Sequence, residues 1–196
     1  MQCCGGTAGT SVAFVVSVRE PLIPERPMTK TYKDAVAKLE ADHDLIEALF
    51  EKVNDASGKQ KRRLGIQAAN LVKIHMTLEE EFFYPALRGK GDDDKITEGL
   101  VEHDTGKFLI NDILAPETDD DSFGPKLQVL GEQMEHHHKE EEQDNKGVFD
   151  QARKADIDLV AMLDQMIERE NELRAQLAED DLPDWDMNFV DVSEST

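Results

Sequence analysis

Apolar residues recur at three- and four-residue steps along most of the chain, the period of helices that turn one face to a core. Val36, Leu39, His43, Ile46 and Phe50 share one stripe, which predicts a first helix over about Thr31 to Asn54, stopped by "NDASG". Leu64, Leu71, His75, Leu78 and Phe82 predict a second over about Lys59 to Tyr84, with Pro85 at its end. Ile96, Leu100, His103 and Ile110 predict a third over about Asp94 to Leu114. Leu127, Leu130 and Met134 mark a fourth that starts at Pro125, a residue suited to the first helical position, and runs past Glu142. After "DNKG", Val160, Leu163, Ile167 and Leu173 predict a fifth over about Asp156 to Ala178.

Four long amphipathic helices with short loops imply an all-α, up-down-up-down four-helix bundle, with the fifth helix lying against it. Residues 1–27 are Gly- and Thr-rich, then Pro-rich, and read as a flexible extension. Residues 28–179 read as the helical domain. Residues 180–196 read as an acidic, mobile tail in which Trp185 and Phe189 are able to dock.

The apolar stripes carry an anomaly. His43, His75 and His103 sit within them, and the stripe of a bundle helix faces the core. The fourth helix holds the triplet His136, His137 and His138. At about 100° per residue His136 points outward, while His137 and His138 straddle the inner stripe equally. Two glutamates complete the pattern. Glu79 stands four residues after His75 and Glu141 four after His137, a spacing that puts each pair on one helix face. The chain thus reads as a duplicated unit: His43 then His75/Glu79, and His103 then His137/Glu141.

Four nitrogens and two carboxylates aimed at one interior need an explanation, because a buried carboxylate without a partner is costly. A pair of metal cations supplies one. The carboxylates bridge the metals and each metal takes imidazoles. Mixed nitrogen and oxygen ligation suits iron, manganese or zinc, and no cysteine lies near this core.

Composition narrows the rest. The chain has 196 residues, which suits one domain with extensions, and a formal net charge of -21. Such a chain repels phosphate backbones and anionic lipid, which argues against nucleic acid and membrane surfaces as partners. Both cysteines, Cys3 and Cys4, are adjacent, so a disulfide framework is excluded and a reducing compartment follows. No apolar run reaches the roughly 20 residues of a membrane span. "SVAFVVSV" has neither a basic segment before it nor a cleavage site after it, and the chain reads as cytoplasmic.

The segments "DHDLIEALF", "HMTLEEEFFYPAL" and "MEHHHKEEE", in this order, resemble the hemerythrin-like, HHE cation-binding family. The resemblance covers about Tyr32 to Ala178. It implies a four-helix bundle around a non-haem di-iron centre, with His43, His75, Glu79, His103, His137 and Glu141 as ligands and Glu79 and Glu141 bridging. It also favours His137 over His138. Oxygen carriers of this family place a second histidine one turn after the third-helix ligand, where this chain has Lys107. The set here is similar to that of catalase-like and iron-cluster-repair relatives. The resemblance therefore implies two irons, and a small ligand such as peroxide, O2 or nitric oxide that is decomposed or detoxified. The alternative is a protein that senses or buffers O2 or iron without turnover. "CCGG" is similar to a dicysteine motif of iron-cluster-repair proteins, without the rest of that module.

The other residues near these motifs read more simply. Glu80, Glu81, Glu140 and Glu142 belong to solvated faces. Tyr84 belongs to core or rim. Gly99 and Gly106, on the face of His103, serve either tight helix packing or space beside a metal.

Overall fold

The computed structural model describes residues 22–24, 31–115 and 121–185. The "CCGG" segment, Phe189 and most of the N-terminal extension lie outside them. Among the described residues every element is helical: α1 (Ala35–Asp55), α2 (Gly58–Leu78), α3 (Tyr84–Leu87), α4 (Asp93–Leu114), α5 (Phe123–Glu141), α6 (Val148–Lys154) and α7 (Leu159–Glu179). A π-helical turn, Glu79–Phe83, joins α2 to α3.

Local chemistry sets the helix starts. Asp34 caps α1 by accepting from Ala37 N at 2.9 Å, Asp92 caps α4, and Asp158 caps α7. Each satisfies a backbone N–H that has no partner within its helix. These caps place the starts of α1 and α7 three or four residues later than apolar periodicity suggests.

α1, α2, α4 and α5 form the up-down-up-down bundle, each packed on its two neighbours in the ring α1–α2–α4–α5. α7 lies against α1 and α2. The core divides into two apolar clusters. One holds Val36, Leu39, Leu78, Phe83, Ile96 and Phe149, and the other holds Ile46, Phe50, Leu71, Ile110, Leu130 and Met134. The histidines sit in sequence between the two, so a polar layer crosses the bundle between two dry walls.

Two sequence expectations need correction. The second helix is not continuous α-helix to Tyr84. Pro85 has no N–H to donate, and the chain answers with a wider turn in which Tyr84 N donates to Glu79 O, five residues back. The extra residue shifts the inward face, so Phe83 and Tyr84 are buried and Phe82 is only partly so.

The fifth expected helix, α7, is rotated from its apolar reading. Val160 is 59% exposed, and the buried face is Met162, Met166, Glu170, Leu173 and Leu177. A charged residue on that face disguised it. Glu170 is buried because Lys38 Nζ of α1 stands 3.0 Å away and Arg174 Nε 2.7 Å away.

The "DNKG" interruption leads into α6, an element that periodicity did not reveal. Val148, Phe149 and Ala152 bury its inner face. Gly147 makes the approach possible: a Cβ there would lie 2.0 Å from the Glu141 carbonyl oxygen. Trp185 docks, exchanging backbone–side-chain contacts with Asn111 and lying under Lys73 Nζ at 4.8 Å.

Candidate metal centre

The four helices deliver their imidazoles in two pairs. His43 Nε2 and His75 Nε2 are 3.0 Å apart, as are His103 Nε2 and His137 Nε2. Two nitrogens bound to one metal at about 2.1 Å and at right angles lie about 3.0 Å apart, so each pair has the spacing of neighbouring ligands.

The two glutamates stand between the pairs. Glu79 Oε2 is 3.3 Å from His75 Nε2 and 3.4 Å from His103 Nε2. Glu141 Oε2 is 3.4 Å from His43 Nε2 and 3.5 Å from His137 Nε2. Each carboxylate therefore touches one member of each pair, the relationship a bridging ligand requires. Ligand atoms of His43, His75, Glu79 and Glu141 lie within 4.8 Å of one another, as do those of Glu79, His103 and His137.

What surrounds the rings is as ordered as the rings themselves. His43 Nδ1 meets Glu142 at 2.6 Å, His103 Nδ1 meets Glu80 at 2.9 Å, and His137 Nδ1 meets Glu102 at 2.7 Å. His75 Nδ1 lies 3.6 Å from Asp42. The acid of one helix thus serves the imidazole of the next: α1 to α2, the π turn to α4, α4 to α5, and the end of α5 back to α1. A carboxylate accepts the Nδ1 proton and fixes the ring with its Nε2 lone pair inward. Helical periodicity does not single out these four acids; Glu142 is exposed, as expected of a solvated face, while Glu80 is only partly so. A signal was present. Each is the immediate sequence neighbour of a candidate ligand: Asp42 of His43, Glu80 of Glu79, Glu102 of His103 and Glu142 of Glu141. Glu81 pairs with Arg169 at the surface and Glu140 lies beside exposed His136.

Electrostatics show what the arrangement demands. Burial pushes His75 down to about 3 and lowers His103 as well, which keeps both rings neutral. Burial also lowers His43, but Glu141 and Glu142 outweigh it and hold this ring up to about 9. Burial and neighbouring Glu141 push Glu79 well above the carboxylate range. Burial would raise Glu141 too, yet His137, His43 and Tyr84 hold it low. Two adjacent buried carboxylates do not both ionise without a nearby cation. Both oxygens of Glu79 and Oε2 of Glu141 have no hydrogen-bond partner. Converging lone pairs and orphaned carboxylate oxygens fit a pair of cations.

Tyr84 is buried, and its hydroxyl reaches the histidine and glutamate cluster. Its hydroxyl donates to Glu141 Oε1 at 2.7 Å and lies 3.4 Å from His137 Nε2. The π turn that follows Glu79 carries it there, and an α-helical wheel misses it. Gly99 and Gly106 take different parts. A Cβ at Gly106 would press on Met76 at 2.8 Å, which is helix packing. A Cβ at Gly99 would stand 3.1 Å from the Tyr84 hydroxyl and 3.4 Å from His137. Beside Gly99 is a small opening of about 20 Å³, lined in part by Tyr84, Glu102, His137, Glu141 and Val148, with room for one water-sized molecule. Lys107 is not at the centre. It pairs with Glu80 at 2.9 Å and Asp104 at 3.0 Å, and so steadies the acid that holds His103.

Burial separates only His136 from the other two histidines of the triplet. His136 is exposed, while His137 and His138 are both buried. His137 joins the His103 pair. His138 stacks on His43, with ring centroids 3.7 Å apart and planes within 7°. Burial, then its imidazole neighbours, push it well below its ordinary range.

The hemerythrin HHE cation-binding domain family matches residues 34–149. A crystal structure of a hemerythrin HHE cation-binding domain-containing protein from Mycobacterium kansasii is similar to the chain, at 18% identity and a TM-score of 0.58. The likeness covers 73% of this chain and 88% of that one. No curated protein matches. The chain belongs to the hemerythrin HHE cation-binding family. It is therefore a cation-binding helical bundle, and no helix among the described residues is long and apolar enough to cross a membrane.

Proposed function

We propose that this chain is a cytoplasmic non-haem di-iron protein that reacts with small oxidants, chiefly by decomposing peroxide. His43, His75, Glu79, His103, His137 and Glu141 would hold the two irons, with Glu79 and Glu141 shared. The observation that carries this reading is the convergence of two Nε2 pairs, each at 3.0 Å, on carboxylate oxygens that have no other partner. Imidazole and carboxylate together suit iron, and also admit manganese or zinc.

A pair of irons held there supplies redox equivalents and Lewis acidity toward a bound small oxidant. The chain's own groups do the rest. Glu80, Glu102 and Glu142 would keep the Nδ1 protons of His103, His137 and His43 in place and their Nε2 atoms inward, with Asp42 at 3.6 Å from Nδ1 of His75. Tyr84 donates to Glu141 and presents a hydroxyl beside His137, where it can hold or pass a proton. The two apolar clusters keep bulk water from the polar layer. The gap beside Gly99 has room for a water-sized molecule.

Lys107, paired with Glu80 and Asp104, supplies no further nitrogen to the centre. This supports reaction with the oxidant over reversible oxygen carriage. The test is metal analysis of the iron-loaded protein followed by a peroxide turnover assay against free iron at equal concentration. Two irons per chain with turnover well above free iron is the expected result. Two irons without turnover would favour the sensing or buffering alternative.

A further inference from the structure

His138 is the one buried imidazole with no role in the centre described above. It is 1% exposed and neither ring nitrogen has a hydrogen-bond partner. A neutral imidazole carries one donor and one acceptor, so burial without partners leaves two unmet groups. A purely structural position favours an apolar ring here: its neighbour Phe149 fills the other side of His43, at 5.2 Å between centroids, without any polar atom.

The surroundings of His138 repeat those of the candidate ligands. Each of those four rings faces a carboxylate from Nδ1, and His138 Nδ1 lies 3.5 Å from Glu47. That separation exceeds a hydrogen bond, but it puts an acid on the side away from the metal positions. Ligand nitrogens of His43, His75 and His138 lie within 4.8 Å of one another. Nitrogens at about 2.1 Å from one metal are about 3.0 Å apart when adjacent and about 4.2 Å apart when opposite. To share a metal with His43, the His138 ring would have to turn out of its stack.

Resting on the two-metal reading, we propose that His138 Nε2 is a third nitrogen ligand for the metal held by His43 and His75. The two metal positions are then unequal. One has His43, His75 and His138 and is closed by protein. The other has His103 and His137 and lies beside Tyr84 and the Gly99 opening. The small molecule binds at the second. α5 therefore supplies both positions from adjacent residues, His137 to one and His138 to the other.

The test uses His138→Phe, which keeps a flat ring against His43 and removes both nitrogens. Metal-free protein, wild type and variant, is titrated with Co(II) and followed by visible absorption and chelator competition. Two cobalt ions per chain in two unequal steps are expected for wild type. In His138→Phe one step should weaken tenfold or more with altered bands, and the other should stay within twofold. Wild-type affinities and bands in His138→Phe would overturn the proposal, since stacking alone would then suffice. Fewer than two cobalt ions in wild type would overturn the two-metal reading beneath it. A second measurement needs no variant. The proton NMR spectrum of the cobalt-loaded wild type should contain five exchangeable, strongly shifted imidazole N–H signals. Four would overturn the role of His138 while leaving the two-metal reading intact.

Discussion

Glu80 accepts a hydrogen bond from His103 Nδ1 at 2.9 Å, and its carboxylate is steadied from the other side by Lys107 Nζ, also at 2.9 Å. Burial raises this acid, but His103 and Lys107 lower it further, so it is ionised. An ionised carboxylate on Nδ1 fixes which nitrogen of His103 faces the centre, and raises its basicity as a ligand. The same relationship recurs at His43 with Glu142 and at His137 with Glu102.

Replacing Glu80 with Gln should weaken metal binding by roughly 10–100-fold, the usual effect of losing such a partner. Saturating metal should still load the site fully. Glu81→Ala, one residue on, should change nothing, because Glu81 reaches outward to Arg169. Chelator competition measures both. Equal affinities for Glu80→Gln and wild type would show that the hydrogen bond does not orient the ring.

Glu79→Ala should behave differently. Its Oε2 lies within 3.4 Å of a histidine from each pair, so its loss should empty both positions together. Metal content should fall from two per chain toward zero under conditions where Glu80→Gln is still loaded. Glu79→Gln, which keeps the shape and removes the ionisable group, should leave the metal-free protein at least as stable as wild type near neutral pH, because burial and Glu141 disfavour ionising this carboxyl. Full metal content in Glu79→Ala would mean that the two pairs act independently.

The buried histidine and glutamate cluster was legible because its members obey helical periodicity. His43, His75 and His103 interrupt apolar stripes, and Glu79 and Glu141 stand one turn beyond a histidine. Residues that act across helices are not marked this way. Asp42 serves His75 and Glu102 serves His137, so nothing in either helix's own period distinguishes them from solvated acids in a chain of net charge -21. Tyr84 was hidden by the π turn, which adds a residue that no fixed period anticipates. α7 was misphased for a third reason: its inner face includes Glu170, and apolar pattern cannot recognise a charge whose counter-ion arrives from another helix.

Gly99→Ala tests the route to the centre. A Cβ there would lie 3.1 Å from the Tyr84 hydroxyl, closer than most packed contacts, and would narrow the opening beside His137. Metal content should be unchanged. The reaction of the loaded protein with peroxide should slow by roughly tenfold, since displacement of groups by fractions of an ångström is costly at a reacting centre. Stopped-flow absorption of the metal chromophore checks this. An unchanged rate would place the entry route elsewhere.

Lys38 provides the last test, one of fold and not of metal. It is 0% exposed, yet it carries a charge, in contact with Asp42 on its own helix and 3.0 Å from Glu170 of α7. Arg174 joins from the other side of Glu170 at 2.7 Å. Burial raises Asp42, but Lys38 and then His75 hold it well below the usual carboxylate range. Asp42, Lys38, Glu170 and Arg174 thus alternate in charge between α1 and α7. Lys38→Met fills the space but removes the cation that stands between Asp42 and Glu170. Breaking a buried pair from one side costs about 3–5 kcal/mol. For a chain of this length that is a fall in Tm of roughly 10 °C. Adding Glu170→Gln removes the surplus charge, and the double variant should recover at least half of the loss. Thermal melts of the metal-free proteins measure this without interference from the centre. A fall of less than about 2 °C for Lys38→Met, under 1 kcal/mol on the same scale, would show that the four groups do not act as one set. The docking of α7 would then rest on Met162, Met166, Leu173 and Leu177 alone.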